Sequence, residues 1–409
     1  MVPLRRNRDF VLLEAGRLLS GAGSQSSSIA YPLLVLAVTS SPAKAGVVGF
    51  ARVLPQVVFG LLAGVAADRW NRKRLMISAD VVRACAVGAL GVGLLVGGVP
   101  WWVIPVVAFV EGAGSTVFAP AGAGALRSVV PARQLPTAVG AQRARMSALM
   151  LAGPPVGGAL FGLGRAVPFV VDACSYVFSF VSLAAMRTPF QEAREPQTES
   201  VRSRIAEGIR FLWSRPFLRT CSLLYGLGNP LMPAVLLVVV VVGQRQGLSG
   251  GAIGLLVASL GAAALLGSLV SPLLRRALPI RAIILLELWT WLGCWVFVAW
   301  PSVYALLAVV LPFGVAAPVT DSVVEGYRVA LTPDRLLGRV EAARSTVSLL
   351  LMPLGPLLAG VLLAAASARA TIAVVALCGL GLAVWGTLSR SIRQAPSLAE
   401  LDEAAAVPV

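Results

Sequence analysis

Long apolar runs separated by short polar breaks recur along the whole chain. They cover 10–38, 43–67, 74–99, 101–126, 138–163 and 166–186, and then 217–243, 250–274, 279–300, 302–327, 339–366 and 370–389. Each is near the ~20 residues that cross the hydrocarbon core of a bilayer as a helix. Within lipid a helix satisfies all of its own backbone polar groups. The pattern predicts an all-α polytopic membrane protein of twelve transmembrane helices in two six-helix halves, 1–186 and 217–389. The connecting segment 187–216 carries charge along its length, including Arg187, Glu192, Arg194, Glu195, Glu199, Arg202, Arg204, Glu207, Arg210 and Arg215. From Ile205 to Trp213 its apolar residues fall at helical spacing, which predicts an amphipathic helix on the membrane face. Residues 390–409 form a polar tail.

The charges then orient the spans. With the N-terminus inside, 24 of the 34 Lys and Arg residues fall in inside segments and only Lys44, Arg165, Arg245 and Arg369 fall outside. Basic residues stay on the cytoplasmic side of short loops. Both termini, the linker and the tail are therefore expected in the cytoplasm, with the protein in the cell (inner) membrane. Met1 is followed by Arg5, Arg6 and Arg8, but no small-residue cleavage site precedes the long run from Phe10, so this run reads as a retained first span.

Composition narrows the function. The chain is 57% hydrophobic and 13% charged, against roughly 25% charged in soluble domains. The net charge of +16 is spread over loops, without a basic patch interleaved with aromatics, so nucleic acid is not an expected partner. Cys85, Cys174, Cys221, Cys294 and Cys378 lie singly in apolar segments and histidine is absent, so neither a metal nor a cofactor is expected. The absence of a Gly-x-x-x-x-Gly-Lys loop argues against ATP hydrolysis by that route. The partner that composition itself implies is the lipid bilayer.

Residues 60–74, GLLAGVAADRWNRKR, place an acid and a basic turn between two spans. Gly64 lets a neighbouring helix approach, Asp68 and Arg69 close the second span, and Arg72, Lys73 and Arg74 open the third. The segment resembles the loop 2–3 signature of the major facilitator superfamily, which implies that these residues form a cytoplasmic gate. Asp80 and Arg83, at i, i+3 spacing in the third span, extend that network. Asn71 stands where the family usually has Gly, and Asn tolerates a left-handed turn. A degenerate copy, GSLVSPLLRRALPIR, follows the eighth span at 267–281, with Ser271 in the place of Asp68. Parallel repeats of this kind are expected in the superfamily.

In the fifth span Gly153, Pro154, Pro155, Gly157 and Gly158 predict a bent helix stripped of side-chain bulk. The segment resembles the Gly-Pro signature of drug:proton antiporters. Further motifs cover nearly the whole chain: Phe118-Ala119-Pro120-Ala121, Asp172-Ala173-x-Ser175-Tyr176, Glu207-Gly208-Ile209-Arg210-Phe211-Leu212-Trp213 and Pro333-x-x-x-Leu337-Gly338-Arg339-Val340. Together they resemble the exporter branch that includes enterobactin-type siderophore exporters and macrolide efflux pumps.

Ionisable residues within spans are costly unless paired or hydrated. Glu111 has no basic residue within a helical turn, and two readings stand: a proton-carrying carboxyl, or an ion pair with Arg52. Asp172 and Glu287 are the other proton-coupling candidates. Gln25, Tyr31, Arg52, Gln56 and Asn229 are the substrate-cavity candidates, with Ser24 to Ser28 making the first span polar at mid-depth. Glu14 with Arg17 and Glu341 with Arg344 have the spacing of ion pairs. Asp321 and Glu325 share a face of the tenth span near the cytoplasm, with Arg328 one turn on, and read as an inner gate. Trp289, Trp291 and Trp295 read as lipid-facing or packing residues. The expected function is export of a small hydrophobic or amphipathic compound by alternating access, as a monomeric proton antiporter and not an enzyme. The alternatives are a proton-independent or uptake carrier of the same fold, and a non-transporting accessory protein.

Overall fold

The computed structural model describes residues 4–188, 190 and 201–395. The linker charges Glu192, Arg194, Glu195 and Glu199 and the tail from 396 lie outside the described residues, as do the side chains of Arg202 and Arg204. All the regular structure described is helical. In the first half α1 spans Arg8–Thr39, α2 Pro42–Arg69, α3 Arg72–Val96, α4 Val103–Val129, α5 Leu135–Leu163 and α6 Val167–Ala185. Then follow α7 (Val201–Ser214), α8 (Pro216–Gly228), α9 (Leu231–Arg245), α10 (Gly250–Ala277), α11 (Ile280–Trp289), α12 (Cys294–Ala299), α13 (Leu307–Leu331), α14 (Leu337–Leu349), α15 (Leu354–Ala365), α16 (Ala368–Leu388) and the short α17 (Arg390–Arg393).

Eleven helical stretches among the described residues are long and apolar enough to cross a membrane. α1, at 32 residues, is long enough to be the twelfth but is diluted by Glu14, Arg17 and the stretch Ser24 to Ser28. The helix itself meets these hydroxyls: Ser24, Ser27 and Ser28 donate to the carbonyls of Ser20, Ser24 and Gln25 at 2.8, 3.1 and 2.6 Å. A polar span of this kind keeps its backbone ladder and still offers polar atoms to its neighbours.

Three spans are built from two pieces. The seventh breaks at Asn229 and Pro230 between α8 and α9, and the eleventh breaks between α14 and α15. The ninth passes from α11 through a 3₁₀ turn, Thr290–Gly293, into α12. Asn71 departs from expectation. Its backbone is extended, φ −61°, and its side chain accepts the Arg74 N–H at 3.1 Å. It is the N-cap of α3, where Asn is among the best residues, and no left-handed turn is needed.

The chain divides into two compact units, Met1–Pro196 with Gly243–Ala258, and Gln197–Val242 with Ser259–Val409. In the first, α5 runs unbroken through Pro154 and Pro155, and its glycines allow close backbone approach. A Cβ at Gly157 would strike the Ser26 carbonyl of α1, one at Gly153 the Gln25 side chain, and one at Gly158 the Gly250 carbonyl of α10. Gly64 behaves otherwise: nothing beyond its own helix is described within 4 Å of where its Cβ would stand. In the second unit α7 packs on α14 as well as presenting an apolar face. Glu207 accepts from Arg335 at 3.2 Å and also pairs with Arg339, while Leu212 is fully buried.

Gly157→Ala is expected to lower stability by about 1–3 kcal/mol through overpacking. Gly64→Ala should leave it unchanged or raise it by up to about 1 kcal/mol through helix propensity. Thermal unfolding in detergent, followed by labelling of the buried thiols of Cys221 and Cys294, measures both.

Candidate functional site

The first unit buries a polar cluster at its centre. Arg52 on α2 reaches Glu111 on α4 at 3.0 Å and donates to the Ser24 carbonyl of α1 at 2.8 Å. α2 and α4 can come this close because residue 112 is Gly, whose Cβ would strike the Arg52 carbonyl. The Tyr176 hydroxyl on α6 donates to Glu111 at 3.3 Å and shares a 2.7 Å hydrogen bond with Ser24 Oγ. Tyr31 lies beneath the Arg52 guanidinium, 5.6 Å from ring centroid to Cζ, and meets Phe169 edge-on. Of the two readings for Glu111, the geometry is that of the ion pair.

Asp80 and Arg83 of α3 form a second buried pair. Arg83 points inward, not to the α2–α3 loop. It donates to Ser115 Oγ at 3.3 Å and stacks over the rings of Tyr176, at 4.3 Å, and Phe118, at 4.8 Å. Tyr176 thus joins both pairs, its ring under one guanidinium and its hydroxyl on the partner of the other. Sequence reasoning quoted Tyr176 only as part of a motif. Its position one turn after Asp172 on the same helical face was the available signal.

Asp172 is fully buried on α6. Its Oδ1 accepts from Ser175 at 3.4 Å and lies against Gly23 of α1, and its Oδ2 has no hydrogen-bond partner. No guanidinium bonds to it among the described residues. The cluster therefore holds three carboxyls, Asp80, Glu111 and Asp172, and two arginines, Arg52 and Arg83. Of the remaining cavity candidates, Gln25 is half-buried against Gly153, and Gln56, one turn from Arg52, is exposed.

The α2–α3 loop makes a separate network. Asp68 lies 3.8 Å from Arg72. Arg72 donates to the carbonyls of Ala67 and Phe190 at 3.1 and 3.4 Å, and Lys73 to those of Met186 and Ala184 at 2.7 and 3.2 Å. Both cations thus sit on carbonyls at and beyond the C-terminal end of α6, where a helix dipole favours positive charge. Arg69 and Arg74 are exposed. At the start of α1, Asp9 accepts the N–H groups of Arg187 and Thr188 at 3.2 and 2.8 Å. Burial raises its carboxyl, and the hydrogen bonds from Thr188 and Arg187 outweigh that and hold it below its ordinary 3.8. A depressed carboxyl stabilises the fold above pH 3.8 and loses that contribution as pH falls further.

The second unit contains a partly open cavity of about 300 Å³. Its wall includes Tyr225, Asn229, Met232, Glu287, Trp291 and Phe313, without any Lys or Arg. Glu287 is buried and accepts from the Tyr225 hydroxyl at 3.4 Å. Asn229, at the break of the seventh span, donates to the Ser348 carbonyl at 2.6 Å. No residue of α1 lines this cavity. Ile284, Glu287, Leu288 and Trp291 share one helical face of the ninth span, at i, i+3, i+4 and i+7. Trp291 is a packing residue, 3% exposed against Phe313 and Gly379, and also walls the cavity, whereas Trp289 and Trp295 are 36% and 37% exposed. The 3₁₀ turn advances ~20° more per residue than an α-helix, which carries Trp295 off that face. Between α13 and α14, Arg328 pairs with Glu325 and Glu341, and Arg344 with Glu341 at 2.8 Å.

The family model described as the Major Facilitator Superfamily matches residues 15–288. The chain belongs to this superfamily. Among curated relatives, the multidrug efflux pump Tap of Mycolicibacterium fortuitum is 30% identical over 403 residues, covering 94% of this chain and 96% of that one. Macrolide efflux protein A of Streptococcus pyogenes is 27% identical over 168 residues, covering 40% of this chain and 42% of the relative. In structure the chain is similar to a bacterial homologue of the iron transporter ferroportin, with a TM-score of 0.72 at 17% identity over 94% of this chain and 98% of that one. The protein is thus a multi-pass membrane transporter with the major facilitator fold and efflux-pump relatives. Transporters of this superfamily bind substrate near the bilayer midplane at the interface of their repeats; the polar cluster and the cavity are the polar interiors of the two units taken singly.

Arg52→Ala leaves Glu111 buried without its cation and should cost about 3–5 kcal/mol. The double variant Arg52→Met with Glu111→Met should recover most of that loss. Thermal unfolding of the single and double variants in detergent gives the comparison.

Proposed function

We propose that this major facilitator transporter exports a small hydrophobic or amphipathic compound from the cell by alternating access, in exchange for protons. The efflux relatives support the direction. The observation that carries the proton part is the buried cluster of the first unit, with three carboxyls against two arginines. An unpaired negative charge in a membrane span costs a few kcal/mol, and one proton removes it. Glu111 is held by Arg52 and Asp80 by Arg83, so Asp172 is the carboxyl that takes the proton. Substrate-linked movement of α1 against α6 then changes the access of water to Asp172 and releases the proton.

In this reading 1–186 and 217–389 are the two moving halves, working as a monomer in the cell membrane with the α2–α3 loop and both termini in the cytoplasm. Asp68, Arg72 and Lys73 form the inner gate, holding the end of α6 while the transporter is closed on that side.

Everted membrane vesicles carrying a pH-sensitive dye test the coupling, with erythromycin and ethidium as probes. The wild type is expected to discharge the imposed pH gradient when probe is added. Asp172→Asn should abolish the response while the protein remains folded, and Glu111→Gln should weaken it mainly through stability. Proton movement unchanged in Asp172→Asn overturns the assignment, and probe transport with no proton movement in the wild type overturns antiport itself. Asp68→Asn should slow ethidium efflux from whole cells about tenfold, the equivalent of losing one gate interaction of ~1.4 kcal/mol. Unchanged efflux would remove Asp68 from the gate.

A further inference from the structure

The cavity of the second unit combines features that specify a ligand. It is walled by apolar and aromatic side chains and contains one carboxylate, Glu287, with no Lys or Arg in the lining. The charged group that acts on Glu287 from the packed helix α13 is Asp321, another acid. The Tyr225 hydroxyl donates to it at 3.4 Å, and the Thr320 hydroxyl of α13 is its other neutral hydrogen-bonding neighbour. This contrasts with the first unit, where Glu111 and Asp80 are each held by a guanidinium.

Beside the carboxylate stand π faces. Trp291 and Phe313 pack with centroids 5.2 Å apart, and the indole is backed by Gly379, whose Cβ would strike it. Aromatic faces attract cations through their quadrupole, most strongly where water is excluded. Met232 and Met352 complete the wall with unbranched, polarisable side chains that adapt to differing shapes. A cavity of about 300 Å³ reaches the lower end of the range for small-molecule sites, about 300–1,000 Å³.

We propose that this cavity is a binding site for monovalent organic cations with an aromatic body, Glu287 meeting the charge and Trp291 with Phe313 meeting the rings. As a step in export the site rests on the transport reading above; as a binding site it does not. A neutral ligand of the same shape would fill the cavity but leave Glu287 without a counter-charge, and an anion would be repelled by Glu287 and Asp321.

Methyltriphenylphosphonium and triphenylphosphine oxide form a suitable probe pair, with the same three phenyl rings and with and without a fixed charge. Neither carries a proton to exchange near neutral pH. Binding to the purified full-length protein in nanodiscs is measured by isothermal titration and by quenching of tryptophan fluorescence. Glu287→Gln is expected to weaken the phosphonium at least about tenfold, as for loss of a desolvated charge partner, and to leave the oxide within about twofold. Glu287→Asp should retain most phosphonium affinity, and Trp291→Ala should weaken both probes and remove most of the quenching. Phosphonium affinity unchanged in Glu287→Gln, or both probes lost together in that variant while its thermal unfolding matches wild type, overturns the proposal. If the phosphonium does not bind wild type although vesicles export erythromycin, this inference fails and the export reading stands. If it binds as expected but neither probe drug moves in vesicles, the export reading fails and the site stands.

Discussion

Arg52 reaches from α2 to Glu111 on α4, and the centre of the first unit is built around that contact. Each of the two charges would cost about 2.5–3.5 kcal/mol alone at mid-membrane, and the pair with its hydrogen bonds removes most of that cost. The geometry then fixes its surroundings. Arg52 needs the Ser24 carbonyl, so α1 must pass close by. Glu111 needs the Tyr176 hydroxyl, so α6 closes the other side. Gly112 is required at the crossing, because any side chain there would push α2 off. Tyr176 transmits the arrangement to Arg83 and Asp80 on α3. Five helices of the unit are thus placed by their obligations to two pairs of charges.

Hydrophobic burial contributes little to helix association in lipid, where the solvent is as apolar as the side chains, and close packing of small residues takes its place. The glycines of α5 do this work against α1 and the start of α10. The same requirement explains why α1 can be polar. Its serines bond back to its own carbonyls and add little bulk, so α5 and α6 can lie against it. Polarity at the core and tightness of packing are therefore one property of this sequence rather than two.

The spans were legible because their signal is cumulative: some twenty apolar residues in a row leave no alternative to a helix in lipid. The superfamily was legible from ordered motifs such as the loop at 60–74, and the family match over 15–288 agrees with it. Single residues were less legible, for a physical reason. Whether Glu111 is paired depends on Arg52, 59 positions away, and nothing local to either helix reveals their crossing. Gly64 has the composition of a packing residue, and nothing beyond its own helix is described within 4 Å of its Cβ position. Asn71 matched a turn by type and proved to be a cap, since one side chain serves both geometries. Trp291 was separable from Trp289 by helical face alone, whereas its separation from Trp295 depends on a 3₁₀ turn that the apolar pattern does not encode.

The degenerate repeat shows how the two halves diverged. In the first, Asp68 and Arg72 stand four apart at the end of α2, and the carboxylate lies near the guanidinium. In the second, Ser271 and Arg275 keep the same spacing at the end of α10. With no carboxylate present, Arg275 donates to the Ser271 carbonyl at 3.4 Å, and the Ser271 hydroxyl bonds to Ser322 of α13 at 3.0 Å. A hydroxyl pair of this kind contributes about 1 kcal/mol and does not respond to charge. The second half has ion pairs elsewhere, among them those of Arg328, Glu341 and Arg344 between α13 and α14. The interior follows the same division. The first half concentrates its buried charges in a network of acids and arginines in which no guanidinium bonds to Asp172, while the second places Glu287 at the wall of an aromatic cavity.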